Sequence, residues 1–282
     1  MADQQSNVNA RSLGLELQRL RKERNIMAED VADALGVSPS TFSRMENGTR
    51  VLTSEEVASI CTVLRVKGVQ RAELIDLARR QSGSGFMESH TTDEQSRSYL
   101  NFESTATKIT NFELALVPGL AQTAEYAHAI LSALRVGDSD ENIEAWVGQR
   151  MSRQAILTRK LSPAFHWILT EEALRRPVGG PRVLARQIRH LVDLTENPNV
   201  SLNVVAAKVA AHPGLMGQFV VMEFASDPTI VFVEDRTTGI FLDDEAKVAP
   251  YMLTVEKLTD IALDERASKR LMQSIVRDVE RE

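Results

Sequence analysis

Residues 28–47 read AEDVADALGVSPSTFSRMEN, and one short stretch within them carries a concentrated hydrogen-bonding face. Ser40 and Arg44 stand one helical turn apart, with Thr41 and Ser43 beside them. Arginine can donate two bonds to the O6/N7 edge of guanine, and serine or threonine suits other base edges. A helix presenting these side chains outward is therefore chemically suited to read a major groove. The neighbouring residues fit a helix-turn-helix. Ala32 is small where two helices would cross, and Gly36 supplies the positive φ of a tight turn. Val37 packs beneath that turn. Ser38 is a good N-cap and Pro39 a good first helical residue, so a reading helix starts there. Phe42 and Met45 then pin it to a core. Thr49 and Arg50 follow Gly48 in a loop suited to phosphate contacts, which position a domain without specifying sequence. The bland alternative is a helical hairpin with a polar outer face, and the completeness of the pattern weighs against it. Lys22 and Arg24 are explained equally well as phosphate contacts or as a solvated helix end.

The elements that must hold this face are short helices. Leu13, Leu17 and Leu20 recur with helical spacing, and Val31 with Leu35 makes a second stripe. Thr53-Ser54-Glu55-Glu56 is a capping box that opens a helix to about Leu64. A fifth helix covers Val69 to Arg80, with Leu74 and Leu77 inward. Residues 1–80 thus read as an all-α, repressor-like helix-turn-helix domain. Gln81-Ser82-Gly83-Ser84-Gly85 reads as a flexible linker.

Residues 86–282 read as a mixed α+β domain with a mostly antiparallel sheet, expected to serve sensing or interaction and dimerisation. Thr92 and Gln95 form a second capping-box pattern, for a helix to about Thr107. A strand is expected over Asn111 to Leu116, helices near 122–135 and 140–160, and a buried strand over Ala164 to Thr170. An amphipathic helix follows over Pro181 to Glu196, with Val183, Leu184, Ile188 and Leu191 inward. Val200 to Ala206 is rich in β formers. The runs 218–224, 229–234 and 239–242, punctuated by turn residues, look like an antiparallel meander. Two helices close the chain near 245–262 and 265–281. The last carries Leu271, Met272, Ile275, Val276 and Val279, a stripe wide enough for both a core and a partner.

Hydrophobic residues make up 43% and charged residues 26% of the chain, which allows a sizeable core and excludes disorder throughout. The formal net charge is −6, unevenly spread. Residues 1–80 hold 12 basic and 11 acidic side chains, the rest 21 and 28, so a DNA contact must come from the N-terminal block. Aromatics at 5% argue against a base-stacking platform for single strands. A single cysteine, Cys61, excludes an internal disulfide and a cysteine-based zinc site, and its apolar neighbours make it a core residue. No apolar run approaches the ~18 residues of a membrane span. The polar N-terminus lacks the apolar region of a leader. A cytoplasmic protein without membrane association is expected. The five histidines show no metal-ligand spacing, and Gly179-Gly180-Pro181 lacks the Lys-Ser/Thr of a phosphate-binding loop. Glu171-Glu172 beside Arg175-Arg176 is better read as a charged helix start than as a catalytic group. No catalytic residue, metal or cofactor is expected, and no enzyme.

The segment LQRLRKERNIMAEDVADALGVSPSTFSRMENGTR resembles the Xre-type regulators and is similar to phage repressor and Cro domains. The likeness rests on Gly36, Ser38-Pro39-Ser40-Thr41 and Met45-Glu46-Asn47-Gly48. In similar domains an arginine late in the first helix meets the glutamate of the Glu-Asn-Gly turn, which implies a bidentate ion pair between Arg21 and Glu46. One departure stands out: Met27-Ala28 occupies the place where a Gln or Ser often touches DNA, so readout should lean on the third helix. The segments FELALVPGLAQTAEYAHAIL, QRMSRQAIL, ILTEEALRRPVGGP and HPGLMGQFVVMEF resemble the sensor-like C-terminal domain of actinobacterial, WhiJ-like regulators, often described as antitoxin-like. The two resemblances imply a transcriptional regulator that binds double-stranded DNA as a homodimer on a palindromic operator. They imply a body that senses a small molecule or a small partner protein encoded nearby. The alternative is an antitoxin-like protein that sequesters such a partner and autoregulates its operon.

Overall fold

A computed structural model describes residues 8–79, 86–89, 92–236 and 238–281 of the chain. In chain order its helices and strands begin with α1 (Val8–Glu23), α2 (Ala28–Leu35), α3 (Pro39–Glu46), α4 (Ser54–Val63) and α5 (Gly68–Arg79). There follow β1 (Phe86–Ser89), α6 (Thr92–Thr105), β2 (Lys108–Glu113), α7 (Ala124–Leu134), α8 (Asp140–Arg153) and β3 (Ala164–Thr170). The remainder runs α9 (Glu171–Arg175), α10 (Pro181–Leu194), β4 (Val200–Val205), β5 (Phe219–Glu223), β6 (Ile230–Glu234), β7 (Gly239–Leu242), α11 (Glu245–Ile261) and α12 (Glu265–Val279). Short 3-10 turns lie at Gly119–Ala121, Gln154–Leu157 and Pro213–Met216. The chain is thus a helical N-terminal region followed by an α+β region whose strand pairings are mostly antiparallel. Among the described residues no helix is long and apolar enough to cross a membrane.

Packing groups the chain into two units, Met1–Thr105 with Pro228–Val248, and Ala106–Asp227 with Ala249–Glu282. The linker expected at 81–85 lies outside the described residues. The division drawn along the sequence sets residues 1–80 apart from 86–282. Within the first unit α6 lies on α1 and β1 pairs with β7.

In the first unit Leu13, Leu17, Leu20, Val31, Ala32, Phe42, Met45, Val57, Ile60 and Cys61 are all buried. The capping box at the start of α4 is formed: Thr53 accepts from Glu56 N, and the Glu56 carboxylate accepts from Thr53 N. β6 and β7 make an antiparallel hairpin, and β1 pairs with β7; β1 has no counterpart in the sequence reading. Phe102 of α6 packs 5.4 Å from Phe241, and Tyr99 packs edge-on 5.1 Å from Phe232. The side chain of Gln95 donates from Nε2 to Glu234 Oε1.

The second unit centres on strands in the order β5-β2-β3-β4. β2, β3 and β4 run parallel, with helices in the connections, and β5 is antiparallel to β2. The β2 strand sits three residues earlier than expected, since Lys108–Glu113 aligns in register with Ala164–Leu169. The apolar stripe of α12 is in large part covered within the unit, with Leu271 and Val279 half-buried. Met272, Ile275 and Val276 are buried, because the helix packs against α10 and β4. Ser268 Oγ fixes it further by accepting from Val204 N at 3.0 Å. α7 and α8 form a hairpin with its own small core of Ala127, Leu131, Ile143 and Val147.

Candidate nucleic-acid interface

The turn between α2 and α3 is made by Gly36 at φ 66°, whose N–H satisfies the last carbonyls of α2. Val37 beneath it is half-buried. Ser38 Oγ then accepts from Thr41 N at 3.1 Å, and Pro39 occupies the first helical position, where a missing N–H costs nothing. Phe42 and Met45 anchor the inner face of α3. Ser38, Pro39, Ser40, Ser43 and Arg44 are exposed, and Thr41 is half-buried. The polar face is internally organised. Ser38 Oγ lies 3.0 Å from Ser40 Oγ and 2.9 Å from Thr41 Oγ1, while Arg44 Nη2 donates to Thr41 Oγ1 at 3.4 Å. Asn47, exposed at the helix end, donates from Nδ2 to Ser43 Oγ at 3.4 Å; the sequence reading places it in the turn and gives it no contact of its own.

The loop residues divide. Thr49 closes the end of α3, donating from N and Oγ1 to the Arg44 carbonyl at 3.1 and 3.2 Å. Arg50 is drawn to its own protein: Nη2 donates to Glu56 Oε1 at 2.5 Å, the same carboxylate that caps α4. Lys22 donates to Gln18 Oε1 and Arg24 to the Leu20 carbonyl, the contacts of a helix end. Met27, 65% exposed, starts α2 with a side chain that cannot hydrogen-bond a base edge.

Three contacts fix where α3 points. Arg21 Nε and Nη2 donate to Glu46 Oε1 and Oε2 at 2.7 and 2.9 Å, in a bidentate pair whose side chains are 11% and 5% exposed. Arg21 Nη1 also donates to the Ile26 carbonyl. The hydrogen bond it donates to Glu46 pushes Arg21 above its ordinary value, against the opposing effect of burial. Gly14 lets α1 cross the end of α3 backbone to backbone: a Cβ there would stand 2.5 Å from the Glu46 carbonyl oxygen. Gly48, at φ 67°, rests on α1, where a Cβ would stand 2.4 Å from Arg11 Cα. The signal for Gly14 was available as a glycine inside an otherwise regular helical stripe, where it costs stability unless something needs the space.

The other residues weighed for chemistry lie as follows. Cys61 is buried, and burial pushes its thiol up, away from thiolate reactivity. Glu171 accepts from Ala207 N and from Arg175, ordering the start of α9. His166 lies 2.9 Å from Asn203 Oδ1, and burial pushes it down. Among the described residues no group of three His, Cys, Asp or Glu side chains is placed to hold a metal ion.

A short helix capped by Ser38, turned by Gly36 and locked at its far end with its polar face outward defines a helix-turn-helix DNA-binding domain, and residues 12–74 match the family described as helix-turn-helix domain. Residues 96–274, well over half of the chain, match the family described as a domain of unknown function, DUF5753, and the chain belongs to that family. No curated protein matches the chain.

Proposed function

We propose that the protein is a sequence-specific transcriptional regulator that binds double-stranded DNA as a homodimer on a palindromic operator. The carrying observation is the exposed row Ser40, Ser43 and Arg44 on a helix held at both ends, by its Ser38 cap and by the Arg21–Glu46 pair. Arg44 reads a guanine edge, and Ser40 and Ser43 reach the neighbouring pairs. Thr49 and the main chain after Gly48 lie against the phosphates. One such domain covers only a half-site, so two copies are required, with reading helices about 34 Å apart. The resemblance to Xre-type regulators supports this reading. The WhiJ-like resemblance supports a second unit that receives a signal, a small molecule or a small partner protein, and acts by binding rather than turnover. The protein then works in the cytoplasm, where the DNA is. Selection of bound duplexes from a random pool tests the proposal. An enriched inverted repeat is expected, and recovery of no sequence preference refutes it.

A further inference from the structure

Arg11 lies outside both family matches, just before residue 12. It is nevertheless only 2% exposed. A guanidinium is costly to bury unless its surroundings answer it. Arg11 Nη1 donates to the Pro228 carbonyl at 2.9 Å, and the guanidinium sits 5.6 Å from the centre of the Phe102 ring on α6. Its main chain faces the other way, forming the surface on which Gly48 rests directly after the reading helix. One residue therefore touches the end of α3 with its backbone and the α6 and Pro228 segments with its side chain.

The rest of α1 repeats the arrangement. Ser12 Oγ lies 2.8 Å from Ser98 Oγ, and Asn101 Nδ2 donates to Glu16 Oε2 at 3.1 Å, so Ser12 and Glu16 face α6. Gly14, about 200° away around the helix from each, faces the end of α3. α1 is a spacer with the reading helix on one side and α6 on the other. Resting on the DNA-binding reading above, we propose that Arg11 is a positioning residue for DNA recognition. It sets the recognition helix from α6 and Pro228, so operator affinity depends on segments far from the helix-turn-helix in sequence.

The test uses full-length protein and a duplex selected as above. Arg11→Met keeps the length of the side chain and removes its charge and donors. Operator affinity should fall about tenfold, while non-specific duplex binding and the salt slope stay at wild-type values, since no phosphate contact is lost. Arg11→Lys should restore most of the loss, because lysine can donate to the Pro228 carbonyl and place a cation over Phe102. Asn101→Ala, which removes the shorter of the α6 contacts to Glu16 and leaves Arg97 at 3.9 Å, should weaken operator binding in the same direction. A folded Arg11→Met protein that binds the operator like wild type overturns the inference. So does a parallel loss of operator and non-specific binding with a flatter salt slope, which would make Arg11 a phosphate contact. If Arg11→Met does not fold, Asn101→Ala decides: unchanged operator affinity overturns the inference. Failure of the wild-type protein to bind any duplex defeats the DNA-binding reading itself and is seen without any variant.

Discussion

Gly14→Ala sets two effects of similar size against each other. Alanine inside a helix is favoured over glycine by about 1 kcal/mol, so propensity alone predicts a gain. The space at this site predicts a loss. The new Cβ would stand 2.5 Å from the Glu46 carbonyl oxygen, 2.7 Å from that of Met45 and 2.9 Å from the Glu46 carbonyl carbon. All three are main-chain atoms, so no rotamer change relieves the overlap. The end of α3 cannot slide away freely either, since Arg21 grips Glu46 and Gly48 rests on Arg11. Overpacking of this kind costs about 1–3 kcal/mol, and a clash with fixed backbone belongs at the upper end. The net expectation is a loss of roughly 2 kcal/mol, read as a lower urea midpoint for the full-length protein with little change in slope. Gly148→Ala is the control. Gly148 lies inside α8 with nothing within 4 Å of its would-be Cβ, so the same substitution should stabilise by about 0.5–1 kcal/mol. A Gly14→Ala midpoint equal to or above wild type would show that α1 and α3 do not cross this closely.

Three further expectations use other parts of the molecule. Arg44→Ala should cost about 1–3 kcal/mol at one base pair and relax specificity there, measured by binding to single-pair operator variants; a uniform loss over all variants would count against groove readout. Glu46→Ala leaves Arg21 partly buried with only the Ile26 carbonyl as a named partner, so it should destabilise by about 3 kcal/mol in urea melts; a loss below about 0.5 kcal/mol would mean the pair is effectively solvated. Burial pushes His166 and His190 below the ordinary histidine value, so the unfolded chain takes up these protons first. Their contribution is fully present above about pH 6.5 and is lost as pH falls toward the folded values. The urea midpoint should therefore drop between pH 7.5 and 5.5, and drop less in His166→Gln; an identical drop in the variant removes His166 from the cause.

The local chemistry of α3 could be read from sequence because it is written in adjacent residues. Gly36, Ser38, Pro39, Phe42 and Met45 each fix a dihedral, a cap or a buried contact within one turn of their neighbours. The pairing of strands is another matter. The alternation of strand and helix from residue 111 to 206 contained the parallel core β2-β3-β4, yet nothing in it states which strands are neighbours, and β5 pairs with β2 across more than a hundred residues. The stripe on α12 showed how much apolar surface needs cover, and only the packing of α10 and β4 showed what covers it. Arg50 illustrates a different limit. Its place after Gly48 suits a phosphate, and the sequence gives no sign that its guanidinium also meets the carboxylate that caps α4.

α1 shows the same limit in a form that bears on control. Arg11, Ser12 and Glu16 are polar side chains that no apolar stripe marks for burial, and all three are buried. Polar residues at such a contact have a particular consequence. A seam between two apolar faces cannot open without exposing hydrocarbon to water, whereas Ser12, Glu16, Ser98, Asn101 and Arg97 would exchange their partners for water at modest cost. Intramolecular bonds of this kind net about 0.5–1.5 kcal/mol each. Their sum is of the order that a ligand supplies at a hundred times its Kd, about 2.7 kcal/mol. A contact of that strength holds α1 in place at rest and still lies within reach of a binding event elsewhere in the chain. An apolar seam of the same extent would hold the reading helix permanently, and an absent one would leave it uncoupled.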